Sequence, residues 1–134
     1  MIYLASPYSH ADDSVREQRY RETVRVNAAL LARGRFVYSP IVHCHAMAET
    51  HTLPTDYEFW KNFNHHMIER SNAVYFLMLP EWQHSKGMYG EMQYADMSGK
   101  ACYMVLLDSI DGYRVDLINP SKLLEKFTPL ATRI

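Results

Sequence analysis

Residues 84–91, His84-Ser85-Lys86-Gly87-Met88-Tyr89-Gly90-Glu91, set a hydroxyl, a glycine and a carboxylate at the spacing Ser-x-Gly-x-x-x-Glu, shortly after the apolar run Ala73–Leu79. The run reads as a buried strand, the Ser/Gly segment as a turn, and the residues after it as a helix carrying Glu91 in its first turns. A helix N-terminus offers free N–H groups and partial positive charge, so it seats anions and favours an ionised carboxylate. Glu91 is therefore expected to stay ionised and usable as a nucleophile. Ser85 can cap the helix or donate to a phosphate, and Gly87 lets a ligand approach the backbone. A plain N-cap serine followed by an exposed helical glutamate would leave the same trace. The segment is not a P-loop, because that motif's spacing and its Lys-Ser/Thr pair are missing.

Other residues could line a pocket with it. The opening Ile2-Tyr3-Leu4-Ala5-Ser6-Pro7-Tyr8 reads as a strand and a loop, with Tyr3 a core residue by pattern and Ser6 and Tyr8 placed to face a ligand. No Gly-x-Gly-x-x-Gly follows this strand, which argues against a dinucleotide cofactor. The histidines His43, His45, His51, His65, His66 and His84 show no metal-ligand spacing such as His-Glu-x-x-His, so a pocket-lining histidine is a better reading than a metal site. Leu53-Pro54-Thr55-Asp56-Tyr57-Glu58-Phe59-Trp60 combines acids and aromatics at a helix start, which suits caps and a buried tryptophan, or a lid.

These groups need a scaffold. Asp12, Asp13 and Ser14 can cap a helix running to about Arg33, with Tyr20, Val24, Ala28 and Leu31 as its apolar stripe and Gly34 ending it. Arg35–Ser39 reads as a short strand broken by Pro40, and residues 41–54 as irregular. Thr55 and Glu58 have capping-box spacing for a helix through about Ser71. Strands Ala73–Leu79 and Ala101–Leu107 follow on either side of the Glu91 helix, with a short helix near Ser121–Phe127. Alternating strands and helices predict an α/β chain: one domain over 1–134, three-layer α/β/α and Rossmann/flavodoxin-like, with a mainly parallel sheet of four to five strands. Such sheets bind ligands beyond the carboxyl ends of their strands.

Composition narrows the class. At 134 residues, 48% apolar and 22% charged, the chain suits one globular domain, and its net charge of −1 argues against a nucleic-acid polymer as partner. Arg16, Arg19, Arg21 and Arg25 share their segment with Glu17 and Glu22, as on a solvated helix face. Cys44 and Cys102 suggest no disulfide framework, no signal peptide is evident, and no apolar stretch reaches the roughly 20 residues of a membrane span. A cytoplasmic protein without membrane partners is expected.

The Tyr-Leu-Ala-Ser-Pro-Tyr opening, the Asn72-Ala73-Val74 strand entry and Ser85-x-Gly87-x-x-x-Glu91 together resemble the nucleoside 2-deoxyribosyltransferase superfamily, which includes the 2′-deoxynucleoside 5′-phosphate N-hydrolases. The likeness spans roughly residues 1–105 and is nearest to a small bacterial and phage branch. It implies Glu91 as the nucleophile at the anomeric carbon, Tyr3 orienting that carboxylate, and Ser85 touching a 5′-phosphate. His43 falls near a loop histidine of the hydrolases, and Ser6, Tyr8, Asp56 and Gly87, read from their own positions, complete the expected substrate contacts. Where the superfamily carries an aspartate serving the leaving base, this chain has Asn64, whose amide supplies no titratable proton; Asp56 and His65 are the nearby substitutes. The resemblance also implies a small-molecule nucleoside or nucleotide partner, no metal or organic cofactor, and a homodimer or higher homo-oligomer with shared sites. The expected function is cleavage or transfer of an N-glycosidic bond through a covalent glycosyl-Glu91 intermediate. A non-catalytic nucleotide-binding module is the alternative, and a metal-dependent hydrolase built on the histidines a third.

Overall fold

The computed structural model describes residues 1–108 and 112–132. Five strands, β1 (Ile2–Ala5), β2 (Val37–Tyr38), β3 (Ala73–Leu77), β4 (Ala101–Asp108) and β5 (Gly112–Leu117), form one sheet in the order 2-1-3-4-5. The first four run parallel, and β5 returns antiparallel to β4. The connection between β4 and β5 is too short for a parallel crossover, which needs a dozen residues or more. No strand was expected over Gly112–Leu117.

Successive side chains of a strand point to opposite faces, and both faces here are apolar. Leu4, Tyr75, Leu77 and Val105 pack with Val26 and Leu30 of α1 (Asp13–Ala32). Tyr3, Ala5, Val74 and Phe76 pack with Ile68 of α3 (Tyr57–Glu69) and Met88, Met92 and Ala95 of α4 (Lys86–Met97). The chain is thus α/β, with helices on both sides of a mostly parallel sheet. No helix among the described residues is long and apolar enough to cross a membrane. Cys44 and Cys102 are free and buried.

Several local expectations need correcting. Residues 41–54 are not irregular: α2 spans Pro40–Thr50, with the Ser39 hydroxyl accepting from Val42 N at 3.2 Å and proline in the first helical position. A proline there is pre-set for the helix and lacks only an N–H that would be unpaired anyway, so Pro40 starts an element rather than merely ending one. The Thr55 capping box does not form; α3 is preceded by Asp56, which makes no side-chain cap bond.

The buried face of α1 is also rotated from the apolar stripe. Arg19, Thr23, Val26, Asn27 and Leu30 are buried, while Ala28 and Leu31 are exposed. The polar members of that face hold the β1–α1 loop. Thr23 donates to the Arg19 carbonyl at 2.7 Å with its oxygen 3.2 Å from the Ser6 hydroxyl, and Arg19 donates to the Ser9 carbonyl at 3.0 Å. Elsewhere on α1 the mixed pairs form as expected, Arg21 with Glu17 and Arg25 with Glu22.

The two serine/threonine caps separate cleanly in a stability measurement. Ser39→Ala should cost about 1 kcal/mol by urea unfolding, as an N-cap loss does. Thr55→Ala should stay within about 0.5 kcal/mol of the parent. Equal effects would mean that α2 does not begin as described.

Candidate functional site

From β1 the chain crosses through α1 to β2 on one side, then returns through α2 and α3 to β3 on the other. This reversal opens a crevice at the carboxyl ends of β1 and β3. A cavity of about 350 Å³ lies there, lined by residues of the β1–α1 loop, α2, the start of α3 and the start of α4. That volume suits a small organic ligand.

One part of the lining is polar and belongs to the start of α4. A short 3₁₀ turn, Trp82–His84, leads into Ser85, whose hydroxyl caps the helix by accepting from Met88 N at 3.1 Å. The capping oxygen accepts, so its own proton is free to donate into the cavity. His84, Ser85, Lys86 and Gly87 all line the space. Gly87 therefore lies within the helix rather than in a turn before it, and a Cβ added there would stand 3.8 Å from Glu91 Oε1. The opposite part is apolar, with Pro40, Ile41, Cys44 and Ala48 of α2 and Trp60 of α3.

Glu91 lines the same cavity yet is only 4% exposed. It sits in the second turn of α4, beyond the first turn where the helix dipole acts. Burial consequently wins: it pushes the carboxyl up from its usual 4.5 to about 7, with the Tyr3 hydroxyl offsetting part of that rise. The expectation that the helix N-terminus keeps Glu91 ionised is thus corrected by its depth. Tyr3, fully buried beneath the site, has its own hydroxyl pushed up by burial and then by the nearby Glu91 charge. Among the described residues Tyr3 Oη and Glu91 Oε2 find no partner at full hydrogen-bond geometry, and neither does Oδ1 of Asn64, another buried lining residue.

Of the residues singled out from sequence, Ser6, Tyr8, Asp56, Asn64, Ser85, Gly87 and Glu91 line the cavity, with Tyr3 directly behind Glu91. His43 does not. Its exposed ring stacks on Tyr38 at 4.9 Å and its Nδ1 lies 2.8 Å from the Ser39 carbonyl, because at helical spacing residues 43 and 45 face different ways. His45 is the histidine α2 turns inward. His65 reaches the site only through Tyr57, whose hydroxyl it meets at 2.9 Å.

Tyr57 was not anticipated, and its position depends on Gly90. A Cβ at Gly90 would stand 2.4 Å from Tyr57 Oη, so only glycine lets this ring lie over α4 beside Glu91. The signal existed as a second glycine between Gly87 and Glu91, but only the tertiary contact gives it meaning. The segment Leu53–Trp60 does contribute one wall, through Thr55, Asp56, Tyr57 and Trp60. Among the described residues no three His, Cys, Asp or Glu side chains gather where they could hold a metal ion.

Comparison with known proteins adds one finding. The profile of a family described as a domain of unknown function, DUF1937, matches residues 1–106, from β1 into β4. No curated protein matches the chain.

The buried carboxyl couples stability to pH. Below 4.5 it is neutral in folded and unfolded chains alike; above that the unfolded chain ionises first, and past about 7 the folded protein must hold an unpaired buried charge. The stability this group contributes is complete below the lower value and is lost as pH rises through the upper one, by about 3 kcal/mol in all. Glu91→Gln should therefore be more stable than the parent at about pH 8, the difference shrinking towards about pH 5. A pH-independent difference in urea midpoints would contradict a neutral, buried Glu91.

Proposed function

We propose that this chain, which belongs to the DUF1937 family, cleaves or transfers the N-glycosidic bond of a (deoxy)nucleoside or its 5′-monophosphate through a covalent glycosyl-Glu91 intermediate. The carrying observation is the Glu91 carboxylate, buried in the cavity lining with Oε2 unpartnered. A buried unsatisfied carboxylate is costly to the fold, so its retention in a ligand-sized cavity argues for chemistry. The likeness to the nucleoside 2-deoxyribosyltransferases supplies the substrate class, and we read the fold with it as three-layer α/β/α and flavodoxin-like.

The two characters of the cavity suit such a substrate. A nucleobase would lie along Ile41, Cys44, Ala48 and Trp60. A 5′-phosphate would meet the start of α4, with the free proton of Ser85 and the Lys86 ammonium. The sugar between them would present its anomeric carbon to Glu91. Ionised Glu91 attacks that carbon, the carbon–nitrogen bond breaks with its electron pair leaving on the base, and an ester forms. Water or a second base then attacks the same carbon and releases the carboxylate. Tyr3 beneath Glu91 holds the carboxylate's orientation. A homo-oligomer with shared sites and a cytoplasmic setting belong to the same reading.

A second reading, a nucleotide-binding module without turnover, is favoured by Asn64, whose amide cannot protonate a leaving base. One assay divides the two. With a panel of deoxynucleosides and their monophosphates, free base should appear by chromatography, be lost in Glu91→Gln and be unaffected by EDTA. Its rate should rise with pH and level off above about 7, because only the ionised carboxylate attacks. Thermal stabilisation by a monophosphate with no base released would support the binding module instead. Loss of activity in EDTA with restoration by zinc would reject the glycosyl-enzyme route.

A further inference from the structure

Tyr8, which lines the cavity from the β1–α1 loop, has its hydroxyl 2.6 Å from His45 Nδ1, and His45 Nε2 lies 3.3 Å from the Glu17 carboxylate of α1. The imidazole is buried and held from two sides, edge-on by the Tyr8 ring and stacked on Tyr20 at 4.1 Å. A hydroxyl facing a ligand space, an imidazole behind it and a carboxylate behind that are the parts of a proton-handling triad. The carboxylate fixes one ring nitrogen as a donor and stabilises the doubly protonated ring when it forms.

We infer that Tyr8, His45 and Glu17 form the proton relay of the site, with Tyr8 delivering to the leaving base the proton that Asn64 cannot supply. The relay rests on the glycosidase reading of Glu91. In the first step the departing base takes the Tyr8 proton while Tyr8 takes one from the His45 imidazolium, leaving neutral His45 on Glu17. In the second step water attacks the glycosyl-Glu91 ester, its proton passes to Tyr8 as the Tyr8 proton passes to His45, and the starting state returns. Tyr8 faces the substrate; His45 and Glu17 are positioning residues.

A second tyrosine–histidine pair reaches the cavity and shows why this one is chosen. Tyr57 meets His65 Nε2 at 2.9 Å, but among the described contacts no carboxylate receives the other nitrogen of His65. Burial and the nearby Lys61 charge disfavour its protonated form, and Glu69 offsets only part of this. Around Tyr8 the charged groups are Glu17, Glu49 and Arg16, and Glu17 stands 3.3 Å from His45 Nε2. His45 has a carboxylate behind it, and His65 among the described contacts has none.

Two measurements on the full-length protein test this. The first compares base release from the best deoxynucleoside monophosphate with nitrophenolate release from 4-nitrophenyl 2-deoxyribofuranoside 5-phosphate, whose leaving group departs without a proton. Tyr8→Phe should slow the nucleotide by roughly 10²–10⁴-fold and the nitrophenyl substrate by only a few-fold. Glu17→Gln and His45→Gln should shift the ratio in the same direction. Equal losses on both substrates, or none, would overturn the relay while leaving Glu91 as nucleophile. The second reads the ¹⁵N shifts of His45, expected to show a protonated Nε2 and a hydrogen-bonded Nδ1, altered by Glu17→Gln. An Nδ1 without a hydrogen bond would overturn the relay whatever the activity. No base release by the parent on any substrate would remove the glycosidase reading, and the relay with it.

Discussion

An unpaired carboxylate in the apolar layer between the sheet and α4 is the constraint on which the rest of the site turns. Glu91 is surrounded by residues that a folding argument alone would replace with something neutral: Met88 and Met92 on its own helix are wholly buried, and the Tyr3 ring lies below it. An arginine or lysine opposite would stabilise the charge and hold its carboxyl low. Instead the nearest lysine of the lining, Lys86, is half exposed and leans towards Glu58 at 3.9 Å. The carboxyl is left to titrate near neutrality, where it is both a competent base and a nucleophile that ionises without strong competition from a permanent partner. Stability and reactivity pull on this one group in opposite directions as pH rises.

The scaffold around it shows the same compromise. The buried face of α1 carries Arg19 and Thr23 in place of an unbroken apolar stripe, because the β1–α1 loop above it has a carbonyl and a hydroxyl to satisfy. That loop carries Ser6 and Tyr8 into the cavity, and the next turns of the same helix supply Glu17 and Tyr20 to His45. One helix thus braces a loop and a side chain of α2 at once. Gly90 does a comparable service on α4 by making room for Tyr57.

What the sequence disclosed follows from how local each signal is. β1, β3, β4 and α4 were legible because apolar runs and an N-cap serine act within a few residues; Ser85 caps where its position in the chain says it should. α2 is hidden by its own content: its buried stripe Ile41, Cys44 and Ala48 is short and flanked by His43 and His45, and the Ser39-Pro40 start reads equally as a strand end. β5 alternates Tyr113 and Val115 towards the core with Arg114 outward, a period-two pattern too short to stand out without β4 beside it. The rotated face of α1 was missed because polar residues buried for a loop's sake look like surface. Glu91, Ser85, Tyr8 and Asn64 could be named from the chain, whereas Tyr57 and the Tyr8–His45–Glu17 line depend on contacts between residues 28 or more apart, which no spacing rule reports except through the fold.

Asn64 then takes on a different meaning. An aspartate in its place would put another carboxylate into the cavity that Asp56 and Glu91 already line. Neighbouring carboxylates raise each other's pKa, so a further one there would make ionisation of Glu91 costlier still. The amide removes that competition. It leaves Glu91 as the one group of the pair that titrates, governed by burial, with Tyr3 offsetting part of it, rather than by a neighbour's charge. It also leaves the leaving base without a donor on that side. A chain that relieves its nucleophile in this way must bring protons from elsewhere or give up turnover, and the opposite wall, with a tyrosine hydroxyl backed by a histidine and a carboxylate, holds the groups able to bring them.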